Sequence, residues 1–110
     1  MEPRKRHVRH LVTEGGRDLF AEWVDDQKDV QGRAVIRKRI DRMYEGNFGD
    51  HSYVGLGVWE LRIHYGPGYR VYYGEDGPVL VLFLCGGDKS SQKKDIRIAM
   101  KLWTEYKESK

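Results

Sequence analysis

Residues 57–94 read GVWELRIHYGPGYRVYYGEDGPVLVLFLCGGDKSSQKK. Three stretches of strand length, 58–65, 69–73 and 79–85, are separated by the turn signals GPG and EDG. This pattern predicts a three-stranded antiparallel meander. The Gly-Gly pair at 86–87 predicts the end of the sheet, and the helical spacing of apolar residues predicts a last helix over 91–107.

The chain before the meander predicts one strand and two helices. Residues 7–13 form the predicted strand, and residues 17–26 and 29–45 form an antiparallel helical hairpin with a short connection near Lys28. The glycine-rich segment 47–57 predicts irregular backbone. The element order is therefore β-α-α-β-β-β-α. It predicts a single α+β domain over residues 1–110, in which the hairpin packs on one face of a twisted, mainly antiparallel sheet.

Length and charge limit the function classes. A chain of 110 residues is sufficient for one core, and its net charge of +3 is mildly basic. Positive residues cluster at 4–10, 33–42, 62–70 and 89–97. Such clustering favours a face that binds a polyanion. For the 33–42 cluster, a solvated helix face is an equally good interpretation.

Several other classes of protein are not expected. No apolar run reaches the roughly 18–20 residues of a membrane span. The start MEPRKRHVRH lacks the apolar core of a signal peptide, so we expect a cytoplasmic protein without membrane association. The single cysteine, Cys85, ends an apolar stretch and is expected to be buried. Histidines and carboxylates show no metal-site spacing, and neither a metal nor a cofactor is expected.

Strand alternation predicts which side chains share a face. Because Trp59, Leu61 and Ile63 must meet the helices, Arg62 and His64 are predicted to point to the opposite face, which is expected to be at least partly open.

The same alternation adds Arg70 and Tyr72 to this face, and Lys89 reaches it from the Gly-Gly turn. Arginines clamp phosphates, and a histidine or tyrosine can transfer a proton. RNA cleavage through the 2′-hydroxyl needs these groups and no metal. The predicted catalytic residues are Arg62, Arg70, Lys89, His64 and Tyr72, and the predicted RNA-binding residues are Lys93 and Lys94.

Each of these residues also has a structural interpretation. Arg62 fits a surface ion pair with Glu60 or Asp88. His64 fits a merely exposed residue beside a turn, and Tyr72 fits packing over a neighbouring arginine.

The element order, the GYRVYY strand at 68–73 and the segment LFLCGGDKSSQKKDIRIAMKLW at 82–103 resemble the RelE/ParE toxin superfamily. The likeness is to its HigB-like, phage Gp49-like branch of addiction-module killer proteins, and it covers nearly the whole chain. It implies a RelE-like fold and a type II toxin that cleaves mRNA in the ribosomal A site. In this resemblance Arg70 matches the arginine of the GYR strand, Arg62 that of the preceding strand, and Lys89 the basic residue after the last strand, with Lys93 nearby.

The resemblance also implies partners. These are a cognate helix-turn-helix antitoxin and mRNA on the ribosome, with a monomeric free toxin. Two alternatives stay open on the same fold. One is a ParE-like inhibitor of DNA gyrase, and the other is a non-toxic phage-derived protein that retains the fold.

Overall fold

A five-stranded mixed sheet carries helices on both faces, which makes the fold α+β. The computed structural model describes residues 5–110, so Arg4 of the predicted basic cluster lies outside the described residues. Within 5–110, no helix has both the length and the apolar character needed to cross a bilayer. The elements are β1 (His7–His10), α1 (Leu19–Asp26), α2 (Val30–Tyr44), β2 (His51–Gly55), β3 (Val58–Ile63), β4 (Tyr69–Asp76), β5 (Leu80–Asp88) and α3 (Gln92–Glu108).

The strand order across the sheet is β1-β5-β4-β3-β2. Strands β2 to β5 pair antiparallel with their chain neighbours, and only β1 is parallel, to β5. The predicted meander and the mainly antiparallel character of the sheet are therefore confirmed.

An aspartate caps the start of each helix of the predicted hairpin. Asp18 accepts a hydrogen bond from the Ala21 amide at 2.9 Å, and Asp29 accepts one from the Gln31 amide at 3.0 Å.

Two predictions about the sheet are wrong. The segment 47–57 contains β2, so the order is β-α-α-β-β-β-β-α. The sequence HSYVG does not alternate apolar with polar residues, since Tyr53 and Val54 are adjacent, and the strand is defined by its backbone pairing with β3. The Gly-Gly pair does not end the sheet either, because β5 continues to Asp88. Gly86 and Gly87 stay in the ladder opposite Val71 and Arg70.

The sheet has a separate core on each face. The predicted alternation is confirmed: Leu61, Val71 and Tyr73 face α1 and α2, whereas Tyr72 faces α3. The second face is less open than expected, since α3 packs along it through Trp103. Residues fully or nearly buried on the hairpin side include Phe20, Val24, Ile36, Met43 and Phe83, and those on the α3 side include Val58, Leu84, Cys85 and Ala99.

Close helix approach explains the glycine pair in β5. A Cβ at Gly86 would lie 2.2 Å from Cε3 of Trp23, and a Cβ at Gly87 would lie 1.8 Å from Oδ2 of Asp95. The two glycines thus let α1 and α3 press on the same strand from opposite faces. These contacts determine how closely α1 and α3 approach the sheet.

We predict that Gly86→Ala lowers the free energy of unfolding by about 1–3 kcal/mol, because the Trp23 indole must leave its place against β5. Chemical denaturation measures this change. Gly15→Ala is the matched control, since a Cβ there meets only Thr13 Oγ1 at 3.9 Å. Equal loss of stability in the two variants would contradict the packing explanation.

Candidate functional site

Sheet register brings the three predicted basic positions to one end of the molecule. Arg62 lies opposite Arg70 across β3 and β4, and Arg70 lies opposite Gly87 across β4 and β5. Lys89 follows in the short 3-10 turn Lys89–Ser91 that leads into α3. Alternation along the strands therefore identified neighbouring positions, although the three side chains have different surroundings.

Arg62 forms an exposed cluster with His64 and Asp50. Its Nη2 and Nε donate to Asp50 Oδ1 at 2.8 and 3.2 Å, and His64 Nε2 lies 2.6 Å from Asp50 Oδ2. The His64 side chain is 72% exposed. The hydrogen bonds from Arg62 and then from His64 hold the pKa of Asp50 at about 2. Arg62 is thus ion-paired, but to Asp50 rather than to the Glu60 or Asp88 expected from sequence.

Arg70 is nearly buried, with 8% of the residue exposed. Its Nη1 donates to the carbonyl oxygens of Gly68 and Tyr69, each at 3.2 Å. Its Nε has no hydrogen-bond partner and lies 3.9 Å from Glu60 Oε1. The guanidinium therefore contributes positive charge from beneath the surface, next to a buried carboxylate.

That carboxylate is the centre of a polar network that the sequence analysis missed. Glu60 is 1% exposed, and its Oε2 accepts hydrogen bonds from the Tyr72 hydroxyl at 3.1 Å and from Gln92 Nε2 at 2.8 Å. Gln92 is the first residue of α3. Glu60 thus links β3, β4 and the start of α3. The predicted meander could have indicated this pair, because Glu60 and Tyr72 are direct cross-strand neighbours in it.

Tyr72 does not lie on an open face. It is fully buried beneath α3, and burial followed by the charge of Glu60 raises its pKa far above the ordinary value. Both effects keep the phenol protonated. The expectation that Tyr72 meets substrate from an exposed position is wrong, because α3 covers this part of the sheet.

The predicted lysines are exposed around the start of α3. Lys89, Lys93 and Lys94 line a shallow groove together with Arg97. Within residues 5–110, no carboxylate forms an ion pair with any of the three lysines. A Cβ at Gly68 would lie 3.5 Å from both Arg70 Nη1 and Lys89 Cβ. Arg70 and the lysine groove are therefore adjacent, with only the Gly68 backbone between them.

The arrangement can attract an anion to the end of the sheet from two sides. Arg62 and His64 stand on one side at the surface, and Lys89 stands on the other. The buried Arg70 lies between them by register. His64 is the predicted proton carrier with an exposed ring, and its nitrogen is oriented by Asp50.

We predict unequal costs for two changes in the Glu60 network. Tyr72→Phe removes one hydrogen bond and should lower the free energy of unfolding by about 1 kcal/mol. Glu60→Gln removes the charge that faces Arg70 and should lower it by about 3 kcal/mol. Denaturant titration of both variants at neutral pH tests this order. Equal costs would mean that the carboxylate does not offset the charge of Arg70.

Asp50 should contribute a pH-dependent part of the stability. Its folded pKa of about 2 lies below the unfolded value of about 3.9, so its contribution is present above that unfolded value. The contribution is lost as the pH falls toward 2. We expect Asp50→Asn to show a shallower loss of stability than the wild type between about pH 4 and pH 2. Urea denaturation across that range measures it, and identical slopes would contradict the assigned hydrogen bonds.

Comparison with known proteins gives a relative but no functional description. No protein-family model matches the sequence. An uncharacterized protein of Haemophilus influenzae is 49% identical over 86 residues, which cover 78% of this chain and 87% of the relative. At this identity and coverage, the chain belongs to the same protein family as the Haemophilus influenzae protein.

Proposed function

We propose that the protein is the toxin of a type II toxin–antitoxin system with a RelE-like fold. In this proposal it acts in the cytoplasm as a ribosome-dependent, metal-independent endoribonuclease that cleaves translated mRNA, and a helix-turn-helix antitoxin holds it inactive. The observation that carries the proposal is the convergence of Arg62, Arg70 and Lys89 at one end of the sheet. Phosphoryl chemistry on RNA requires such a concentration of positive charge.

The proposed reaction assigns a role to each group of the site. His64, oriented by Asp50, takes the proton of the 2′-hydroxyl. The 2′-oxygen attacks the adjacent phosphorus, and the bond to the 5′-oxygen breaks, which leaves a cyclic phosphate and a 5′-hydroxyl. Arg62 and Arg70 stabilise the charge of the phosphorane. Lys89 supplies positive charge and a proton to the leaving oxygen.

The remaining predicted residues support this site. Lys93 and Lys94 are exposed beside Lys89 and bind flanking phosphates in the proposal. Tyr72 is a positioning residue, since its hydroxyl reaches Glu60 and not the surface.

A binding function without cleavage is the second candidate, such as ParE-like inhibition of DNA gyrase. The ion pair of Arg62 with Asp50 and the burial of Arg70 favour it, because both reduce the number of freely available guanidinium groups.

We predict that induction of the chain alone in bacteria arrests growth and yields mRNA 5′ ends confined to translated regions. Arg62→Ala combined with Lys89→Ala should lower cleavage by about 100-fold or more, since two cations leave the site. Lys28→Ala combined with Lys101→Ala removes two exposed lysines elsewhere and should leave cleavage intact.

Circular dichroism of both double variants checks that they fold. Intact mRNA accompanied by DNA breaks would contradict the nuclease and support the gyrase inhibitor. Full cleavage by the Arg62/Lys89 variant would contradict the assigned site.

A further inference from the structure

A second cationic feature lies beside the proposed site. A cleft of about 320 Å³ separates α2 from the end of β3, and we call it the α2–β3 cleft. Lys38, Arg39 and Arg42 form its α2 wall, and Arg62 and His64 form the opposite wall, with Asp50 between them. Four permanently positive groups thus line the cleft together with one carboxylate, which Arg62 and His64 already engage.

Arg39 is the structural cation of this cleft. Its Nη1 donates to the Phe48 carbonyl oxygen at 2.7 Å, and its Nη2 donates to the Arg62 carbonyl oxygen at 3.1 Å. These bonds tie α2 to the backbone before β2 and at the end of β3. Burial, and then the charge of Arg42, lower the pKa of Arg39. The back wall of the cleft is therefore a partly desolvated positive charge that a bound anion would stabilise.

Lys38 and Arg42 are the available cations. They lie four residues apart on α2, so they project on the same side of the helix and repel one another. Both residues are exposed, and within residues 5–110 neither forms an ion pair with a carboxylate. Their placement gives α2 no ion-pair stabilisation and leaves two donors directed at the cleft.

We propose that the α2–β3 cleft binds the phosphodiester backbone of RNA next to the reacting phosphate, through Lys38 and Arg42 on its α2 wall. The choice of RNA rests on the proposed function. Arg62 supports it, because this residue lines the cleft and also lies directly opposite Arg70. The cleft and the proposed catalytic site therefore share Arg62. Successive phosphates of one RNA strand can occupy both, because a phosphate recurs at every nucleotide, whereas an acidic peptide would need carboxylates at matching intervals.

Binding of a non-cleavable 2′-O-methyl oligoribonucleotide, followed by fluorescence anisotropy, tests the cleft without requiring cleavage. Lys38→Glu combined with Arg42→Glu should weaken binding at least about tenfold. The slope of log K against log salt should become shallower by about 1.4, from about 0.7 for each lost phosphate contact. Lys28→Glu combined with Lys101→Glu makes the same change in net charge away from the cleft and should have a much smaller effect. Lys38→Gln combined with Arg42→Gln is the milder variant if the first does not fold.

Equal weakening by the cleft and control variants would overturn the proposal, since it would indicate general charge attraction. So would an absence of RNA binding combined with Lys38- and Arg42-dependent binding of poly-glutamate, which would indicate an acidic protein partner.

The cleft proposal and the nuclease proposal can be contradicted independently. Cleft-dependent RNA binding without mRNA cleavage in cells would overturn the nuclease and keep the cleft. Cleavage in cells with unchanged binding by the cleft variant would overturn the cleft alone.

Discussion

The buried Glu60 carboxylate is the interaction on which the functional end of the molecule depends. A carboxylate buried between a sheet and a helix is costly unless nearby charge and hydrogen bonds offset its desolvation. Tyr72 and Gln92 supply the hydrogen bonds, and Arg70 supplies the nearby charge. These partners come from β4 and α3, so the network joins the first residue of α3 to the sheet. Lys89 lies just before α3 and approaches Arg70 across Gly68.

Arg70 and Arg39 donate hydrogen bonds to backbone carbonyl oxygens, whereas the cationic side chains beside them are exposed to solvent. Arg70 hydrogen-bonds backbone carbonyl oxygens at the β3–β4 turn, and Arg39 does the same between α2 and the segment before β2. Each stands beside exposed cations, Lys89 in one case and Lys38 in the other. The two guanidinium groups thus hold backbone segments in place, whereas the exposed side chains beside them are available for binding. The net charge of the chain is only +3, yet both kinds of cation lie near Arg62.

Local pattern was sufficient to predict the meander and the faces of β3 and β4, because alternation and turn chemistry depend on neighbouring residues alone. It could not predict β2, because the sequence of β2 lacks a clear apolar–polar alternation and the strand is defined by its backbone pairing with β3. It also could not predict the partner of Arg62, since Asp50 is 12 residues away and is brought near by that same strand. The burial of Tyr72 depends on how α3 docks, and the close approach at Gly87 that permits this docking appears only in three dimensions.

The shared position of Asp50 gives the proposed reaction an internal order. In the free protein Asp50 divides its two oxygens between Arg62 and His64. A phosphate offers Arg62 the same paired acceptors that a carboxylate does, with comparable geometry. When substrate engages Arg62, Asp50 is left to His64 alone, and the imidazole is then the only hydrogen-bond partner of its carboxylate within this cluster. In the proposed reaction, phosphate binding at Arg62 and the orientation of the His64 ring are therefore coupled through the single carboxylate of Asp50.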